Sequence, residues 1–180
     1  YILKSRCANI NFSDPIGVFG DAMLVPKGNP KNINNYQDVI DTGAKLVTGT
    51  GFNTVEAAKK YGVPDSQMLL VEGEVGILAA MKAGRADAAV QTFFGAKEHE
   101  EKTGGAFEVT DPKLMPKETL NVVGIGFRKS DVEFRDAFNA ALAKVMANPD
   151  KMLERAGKYG YDKAQLPPDN MSTEWACSTK

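Results

Sequence analysis

The sequence holds only two cysteines and one histidine, and its charges nearly cancel. Each scarcity removes a class of function. A structural zinc site asks for about four nitrogen or sulfur ligands. Cys7 and Cys177 sit near opposite ends, form no CxxC pair and have only His99 to join them, so no metal site is expected. With Lys and Arg at 22 against Asp and Glu at 23, the formal charge is -1. No basic surplus exists to follow a phosphate backbone, which excludes nucleic acid as a partner. No apolar run approaches the length of about 20 residues that spans a bilayer. An initiator methionine and a charged-then-apolar leader are also lacking. Tyr1-Ile2-Leu3-Lys4-Ser5-Arg6 reads as the middle of an element, and a preceding N-terminal part is expected. There is no nucleophile elbow and no Walker loop, and Gly124-Ile125-Gly126 is too sparse for a dinucleotide fingerprint.

What is present suits a globular protein: 180 residues, 43% hydrophobic and 25% charged, enough for one large domain or two small ones. The two cysteines leave two readings, buried thiols or one disulfide closing almost the whole chain. The disulfide is the expectation, and it implies an oxidising compartment.

Apolar runs and helical periodicity alternate. Residues 22–25 form a strand stopped by Pro26-Lys27-Gly28-Asn29-Pro30. A short helix over 36–40 precedes a strand over 44–47, which ends in Thr48-Gly49-Thr50-Gly51. The next helix is capped by Asn53 or Thr54, with Glu56 as capping-box partner, and Pro64 stops it. A strand over 68–71, a helix over 74–83 closed by Gly84, a strand over 86–91 and a helix over 93–102 follow. Residues 120–127 read as one long strand, and Ser130-Asp131-Val132-Glu133 as a capping box opening a helix to about 147. Asn148-Pro149 starts the last helix, Gly160 ends it, and the tail with Pro167-Pro168 and Trp175 reads as irregular. The alternation predicts an α/β fold with a parallel sheet covered on both faces.

The order of four landmarks resembles the periplasmic solute-binding proteins that serve ABC importers of polar amino acids. These are Arg6 followed by Asn11-Phe12-Ser13-Asp14-Pro15, Gly49-Thr50-Gly51 before a helix, the turn Met81-Lys82-Ala83-Gly84-Arg85-Ala86-Asp87-Ala88-Ala89, and the return segment 120–127. Segments 18–27 and 71–95 resemble the ectoine and hydroxyectoine binders of that family. The resemblance implies a two-lobed type II periplasmic-binding-protein fold with lobe 2 complete and lobe 1 partial. Residues 1–19 would end lobe 1, 20–123 would form lobe 2, and 124–180 would return to lobe 1 and supply the C-terminal helices. It also implies a monomeric receptor without cofactor or catalytic residue, placed in the periplasm or anchored outside the cytoplasmic membrane. Such a receptor captures a small zwitterion (ectoine, hydroxyectoine or a polar amino acid) by hinge closure and delivers it to the permease subunits of an ABC importer.

The resemblance assigns ligand roles residue by residue. Arg6 presents a planar fork of donors that matches a carboxylate bidentately. Tyr1, five residues earlier, offers a ring face to a delocalised cation. Gly51, Asn53 and Thr54 bring backbone, a helix start and a hydroxyl to an anionic group. Thr92 stands where amino-acid binders usually carry an aspartate for the ammonium, so a spread cation fits better than a free α-amino group. His99, within Lys97-Glu98-His99-Glu100-Glu101, reads as part of a solvated helix face, Phe93 and Phe94 as core, and Asp14 as a brace before the hinge. Two rivals carry distinct signatures. A dehydratase-like enzyme on this fold needs a carboxylate–histidine pair in the cleft, and a sensor domain needs a membrane span after Lys180.

Overall fold

Apolar runs of three to six residues, cut by glycine and proline, become the strands of this chain. The computed structural model describes residues 1–159 and 161–179. In chain order the main elements are α1 (Lys4–Cys7), β1 (Ile10–Phe12), β2 (Gly17–Phe19), β3 (Asp21–Pro26), α2 (Tyr36–Thr42), β4 (Leu46–Gly49) and α3 (Asn53–Lys60). Then come β5 (Met68–Val71), α4 (Gly73–Lys82), β6 (Ala88–Thr92), α5 (Phe93–Lys102), β7 (Phe107–Val109), β8 (Asn121–Val123) and β9 (Gly126–Arg128). Three helices, α6 (Val132–Met146), α7 (Pro149–Ala156) and α8 (Thr173–Thr179), complete it. Tyr1–Phe19 and Leu120–Lys180 make one unit, and Gly20–Thr119 makes the other.

The unit formed by Gly20–Thr119 is built on a five-stranded sheet in the order β5-β4-β6-β3-β7. β4 runs parallel to both β5 and β6, while β3 runs antiparallel to β6 and to β7. The expectation of a parallel sheet is therefore corrected at one strand. β3 alone is reversed, because it begins directly at Gly20 with no crossover helix of this unit ahead of it to set its direction. Successive side chains alternate between the faces. Met23, Val25, Leu46, Ala88 and Val90 face Tyr36, Val39 and Ala58 of α2 and α3. Leu24, Val47 and Ala89 face Ile77, Ala80 and Met81 of α4 and Ala96 of α5. Both faces are thus closed by helices, and the polar residues that continue these rows, Asp21, Thr48 and Thr92, stand at one edge of the first face.

Several local expectations shift. The strand over 44–47 begins two residues later, because Gly43 ends α2 in the left-handed conformation and Ala44 N still bonds to Val39 O. Phe52 is the N-cap of α3 and makes no side-chain capping bond, so the cap position expected at Asn53 or Thr54 lies one or two residues earlier. The candidate caps are engaged elsewhere: the Asn53 amide approaches Asp21, and the Thr54 hydroxyl bonds to Thr48. Asp131 likewise makes no capping bond, its Oδ1 accepting instead from the Ser130 hydroxyl at 2.9 Å. Asn148 does cap α7, accepting from Lys151 N. The helix stop expected at Gly160 lies outside the described residues.

The other unit has two antiparallel strand pairs, β1 with β9 and β2 with β8. The long strand expected over 120–127 is therefore two short ones, broken at Gly124-Ile125. A Cβ at Gly124 would lie 3.0 Å from Ile2 and 3.1 Å from Ser13 O, so the chain passes closely against both there. Ser13, fully buried, takes the bracing role expected of Asp14: its hydroxyl accepts from Ile125 N at 2.9 Å and donates to Asp14 O at 2.8 Å. The tail is not irregular throughout, since α8 carries Trp175 and packs Ala176 into a small core with Ile2, Phe12, Val18 and Val122. A disulfide joins Cys7 of α1 to Cys177 of α8 with the Cα atoms 5.8 Å apart, and no described cysteine is free. By contrast α6 and α7 bury none of their residues, and Phe134 of α6 is 66% exposed.

Candidate functional site

In open α/β sheets the crevice outside the carboxyl ends of two neighbouring strands is a ligand position where their connections depart in opposite directions. β4 and β6 meet this condition. β4 leads through α3 to β5 on one side, whereas β6 leads through α5 to β7 on the other, with α3 and α5 on opposite faces. Four of the residues singled out from sequence, Gly51, Asn53, Thr54 and Thr92, gather at these two strand ends.

Glycine is required at both ends of the 49–51 turn. A Cβ at Gly49 would lie 2.8 Å from the Phe52 ring, and Gly51 has φ +75°, a left-handed conformation that costs a larger residue strain. The turn is fixed by Thr50 N donating to Val71 O at 2.8 Å and Phe52 N donating to Gly49 O at 3.0 Å. It delivers the chain into α3, whose N-terminal end carries the positive end of the helix dipole. Thr54 is buried, and its hydroxyl shares a hydrogen bond with the Thr48 hydroxyl at 2.5 Å. Thr54 therefore forms the floor of this cluster. Asn53 is half-buried, its Nδ2 3.5 Å from Asp21 Oδ2. Thr92 caps α5, accepting from Gly95 N at 3.1 Å, and stands directly opposite Asp21 in the β3–β6 ladder.

Two residues escape a reading of the sequence. Asp21 is fully buried at the head of an apolar strand. Tyr36, 1% exposed, stacks on Tyr61 with ring centroids 5.3 Å apart, and its hydroxyl has no hydrogen-bond partner among the described residues. Burial first, then the charge of Asp21 and the neighbouring Tyr61, hold the Tyr36 phenol well above its ordinary pKa of 10.0, so it stays protonated. The available signal for Asp21 is an acid opening a run that is otherwise apolar.

The other unit holds Tyr1 and Arg6. The single turn of α1 brings them together: the Arg6 guanidinium donates to Tyr1 O at 3.3 Å, and both side chains are half-buried.

His99 corrects the expectation of a solvated face. It is 4% exposed, and its Nδ1 lies in hydrogen-bond contact with the Gln91 side-chain amide at 3.0 Å. Its neighbours in sequence are charged, yet it follows Ala96 by three residues and shares that helix's buried stripe. Phe93 and Phe94, expected in the core, are half-buried and meet edge to face at 5.6 Å. Burial holds the His99 imidazole below its ordinary pKa of 6.5, against the upward pull of Glu98 and with the help of Lys102 and Lys82. Glu74 Oε2 lies 3.9 Å from Nε2, too far to offset the loss of solvation. Below the ordinary pKa the unfolded chain takes up the proton first, so the stabilisation is full above about pH 6.5 and is lost as pH falls. Urea midpoints are expected to drop between pH 7 and pH 5, with a smaller drop in His99→Gln. Equal drops in both proteins would contradict this account.

Among the described residues no group of three or more His, Cys, Asp or Glu could hold a metal ion, and no helix is long and apolar enough to cross a membrane.

The profile of the bacterial extracellular solute-binding proteins, family 3, matches residues 1–159. Among curated relatives, a probable amino-acid ABC transporter periplasmic-binding protein, y4tE of Sinorhizobium fredii, is 29% identical over 163 residues, 89% of this chain and 54% of that protein. The histidine-binding periplasmic protein of Escherichia coli K12 is 30% identical over 167 residues, 89% of this chain and 62% of that one. The chain thus spans between about half and three-fifths of the length of these relatives. Among solved structures, EhuB in complex with hydroxyectoine superposes with a TM-score of 0.79 at 27% identity, covering 99% of this chain and 68% of the other. Holo ArgBP from T. maritima, at 21% identity, gives a TM-score of 0.71 over 89% and 66%, a likeness of fold. The α/β architecture described above is that of type II periplasmic-binding proteins.

Proposed function

The chain belongs to the bacterial extracellular solute-binding proteins of family 3, and from that premise we propose that it is a receptor for a small zwitterion, ectoine or hydroxyectoine, which it presents to the permease subunits of an ABC importer. The observation that carries this reading is the polar cluster at the carboxyl ends of β4 and β6, where Gly51, Asn53, Thr54 and Thr92 converge. The likeness to hydroxyectoine-bound EhuB over 99% of the chain supports the ligand class. In this proposal Arg6 takes the ligand carboxylate and the ring of Tyr1 faces its delocalised cation. The 49–54 turn and Thr92 supply the remaining polar contacts, and capture proceeds by hinge closure of a monomer. A location outside the cytoplasmic membrane, in the periplasm, is supported by relatives that are periplasmic. A binding role without catalysis is supported by the same relatives, which are binding proteins.

A second reading, a polar amino-acid receptor, has its own support in the 30% identity to the histidine-binding protein. Isothermal calorimetry of the full-length protein with ectoine, hydroxyectoine, histidine, arginine and glutamine separates the two. Ectoine or hydroxyectoine is expected to bind at micromolar strength, about 8 kcal/mol, and the amino acids at least tenfold more weakly. Preference for an amino acid would replace the first reading with the second, and no binding by any of the five would remove both.

A further inference from the structure

Resting on the receptor reading above, we propose that Thr48 is a positioning residue of the ligand site: its hydroxyl donates to that of Thr54 and so leaves the Thr54 O–H free to donate to an acceptor group of the bound solute. Two periodicities bring the pair together. Leu46 and Thr48 stand two residues apart on β4 and share a face of the sheet. Leu46 belongs to the buried cluster that also holds Ala58 of α3. Thr54 lies four residues before Ala58, on the same stripe of that helix. The apolar packing between β4 and α3 therefore ends in a hydroxyl pair, with the Thr48 and Thr54 Oγ1 atoms 2.5 Å apart, beside the 49–51 turn.

Hydrogen counting gives the pair its meaning. Two hydroxyls bring two hydrogens, and only one of them lies between the two oxygens. Thr48 is 0% exposed and Thr54 1%, and neither hydroxyl has another partner among the described residues. One O–H donor is thus left buried without an acceptor, although a buried polar group ordinarily has a partner. The two ways of sharing the hydrogen are not equivalent. If Thr54 donates, the spare hydrogen stays on Thr48, whose row runs back into Leu46 and the apolar cluster. If Thr48 donates, the spare hydrogen is on Thr54, in the first turn of α3, where the backbone N–H of the same residue has no intrahelical acceptor either. An acceptor that reaches the 49–54 turn satisfies the second arrangement and not the first. A solute N–H brought to Thr54 Oγ1 would leave the spare hydrogen unpaired in both. The pair therefore selects an acceptor, such as a carboxylate oxygen, at this point of the site.

The test is calorimetric titration of Thr48→Val, Thr48→Ser, Thr54→Val and the double valine variant in the full-length protein, with whichever of ectoine, hydroxyectoine, histidine, arginine and glutamine the parent binds best. Valine keeps the branched shape of threonine without its hydroxyl. Thr48→Val is expected to bind about 3–10-fold more weakly, the range of one neutral hydrogen bond, and Thr48→Ser to return to within twofold of the parent. Thr54→Val is expected to lose at least as much as Thr48→Val. The double variant is expected to lose no more than Thr54→Val alone, because Thr48 acts through Thr54, whereas two separate packing effects would add. A loss under threefold in Thr48→Val, a Thr48→Ser protein as weak as Thr48→Val, or losses that add in the double variant would each overturn the proposal. Should Thr48→Val fail to fold, Thr48→Ala takes its place with the same outcomes. If the parent binds an amino acid and not ectoine or hydroxyectoine, the ectoine reading fails while the role of Thr48 is still decided with that amino acid. If it binds none of the five, both fall.

Discussion

Replacing Arg6 with alanine is expected to weaken ectoine binding to the full-length protein by at least 100-fold, while leaving the melting midpoint of the ligand-free form within about 2 °C. Two parallel charge-assisted bonds at about 1.5–3 kcal/mol each set the scale, since 1.4 kcal/mol is a factor of ten. The residue is also restrained by its neighbours. Ile2 and Leu3 are buried just before it, Cys7 is fixed by its disulfide just after it, and the guanidinium itself bonds to Tyr1 O at 3.3 Å. A fork held in place from both sides loses little freedom on binding, so more of the contact energy appears as affinity. Arg6→Lys keeps the charge but loses the planar pair of donors, and its affinity is expected between the other two. An Arg6→Ala protein that bound ectoine within fivefold of the parent would dismiss the carboxylate role.

The sequence makes some of this chain legible because those features are set locally. The apolar run ending at Thr92 is followed at once by helical residues, and α5 spans Phe93–Lys102 as the periodicity predicts. The Asn148-Pro149 start of α7 is of the same kind, a side-chain acceptor and a residue with no N–H to satisfy. What stays hidden is what depends on a partner distant in sequence. Nothing in Asp21–Pro26 says that this strand runs against its neighbours, because direction is fixed by pairing with β6 and β7. Asn53 and Thr54 have the composition of helix caps, but Asp21 and Thr48 compete for their side chains. His99 is surrounded in sequence by Lys and Glu, and only the position of α5 over Gln91 buries it. Within the site, Gly51 and Thr54 are marked by turn chemistry. The two residues that sequence reasoning misses, Asp21 and Tyr36, come from elements that precede the turn and meet it only through the sheet.

Reduction of the Cys7–Cys177 disulfide is the other change with a large expected effect, and it should act on one unit first. The bridge links residues 170 positions apart, and closing so long a loop stabilises the fold by about 5 kcal/mol in the chain-entropy treatment, against about 2–5 kcal/mol lost when native disulfides are removed. The unit that contains it has the smaller core: a cluster of Ile2, Phe12, Val18, Val122 and Ala176, with Leu3, Phe127 and Tyr161 also buried, while neither α6 nor α7 buries a residue. The unit of Gly20–Thr119 has two buried clusters, one on each face of a five-stranded sheet, and no cysteine. The chain has a single tryptophan, and Trp175 lies in α8 two residues before Cys177, so its fluorescence reports on the disulfide-bearing unit alone. On adding reductant, or in Cys7→Ser/Cys177→Ser, the fluorescence midpoint in urea is expected to fall well below the circular-dichroism midpoint, which is dominated by the sheet and helices of the other unit. Affinity for ectoine should fall with it, because the turn that fixes Arg6 is tied down at Cys7. Coincident transitions, unmoved by reductant, would show that packing rather than the covalent link holds α1 against α8.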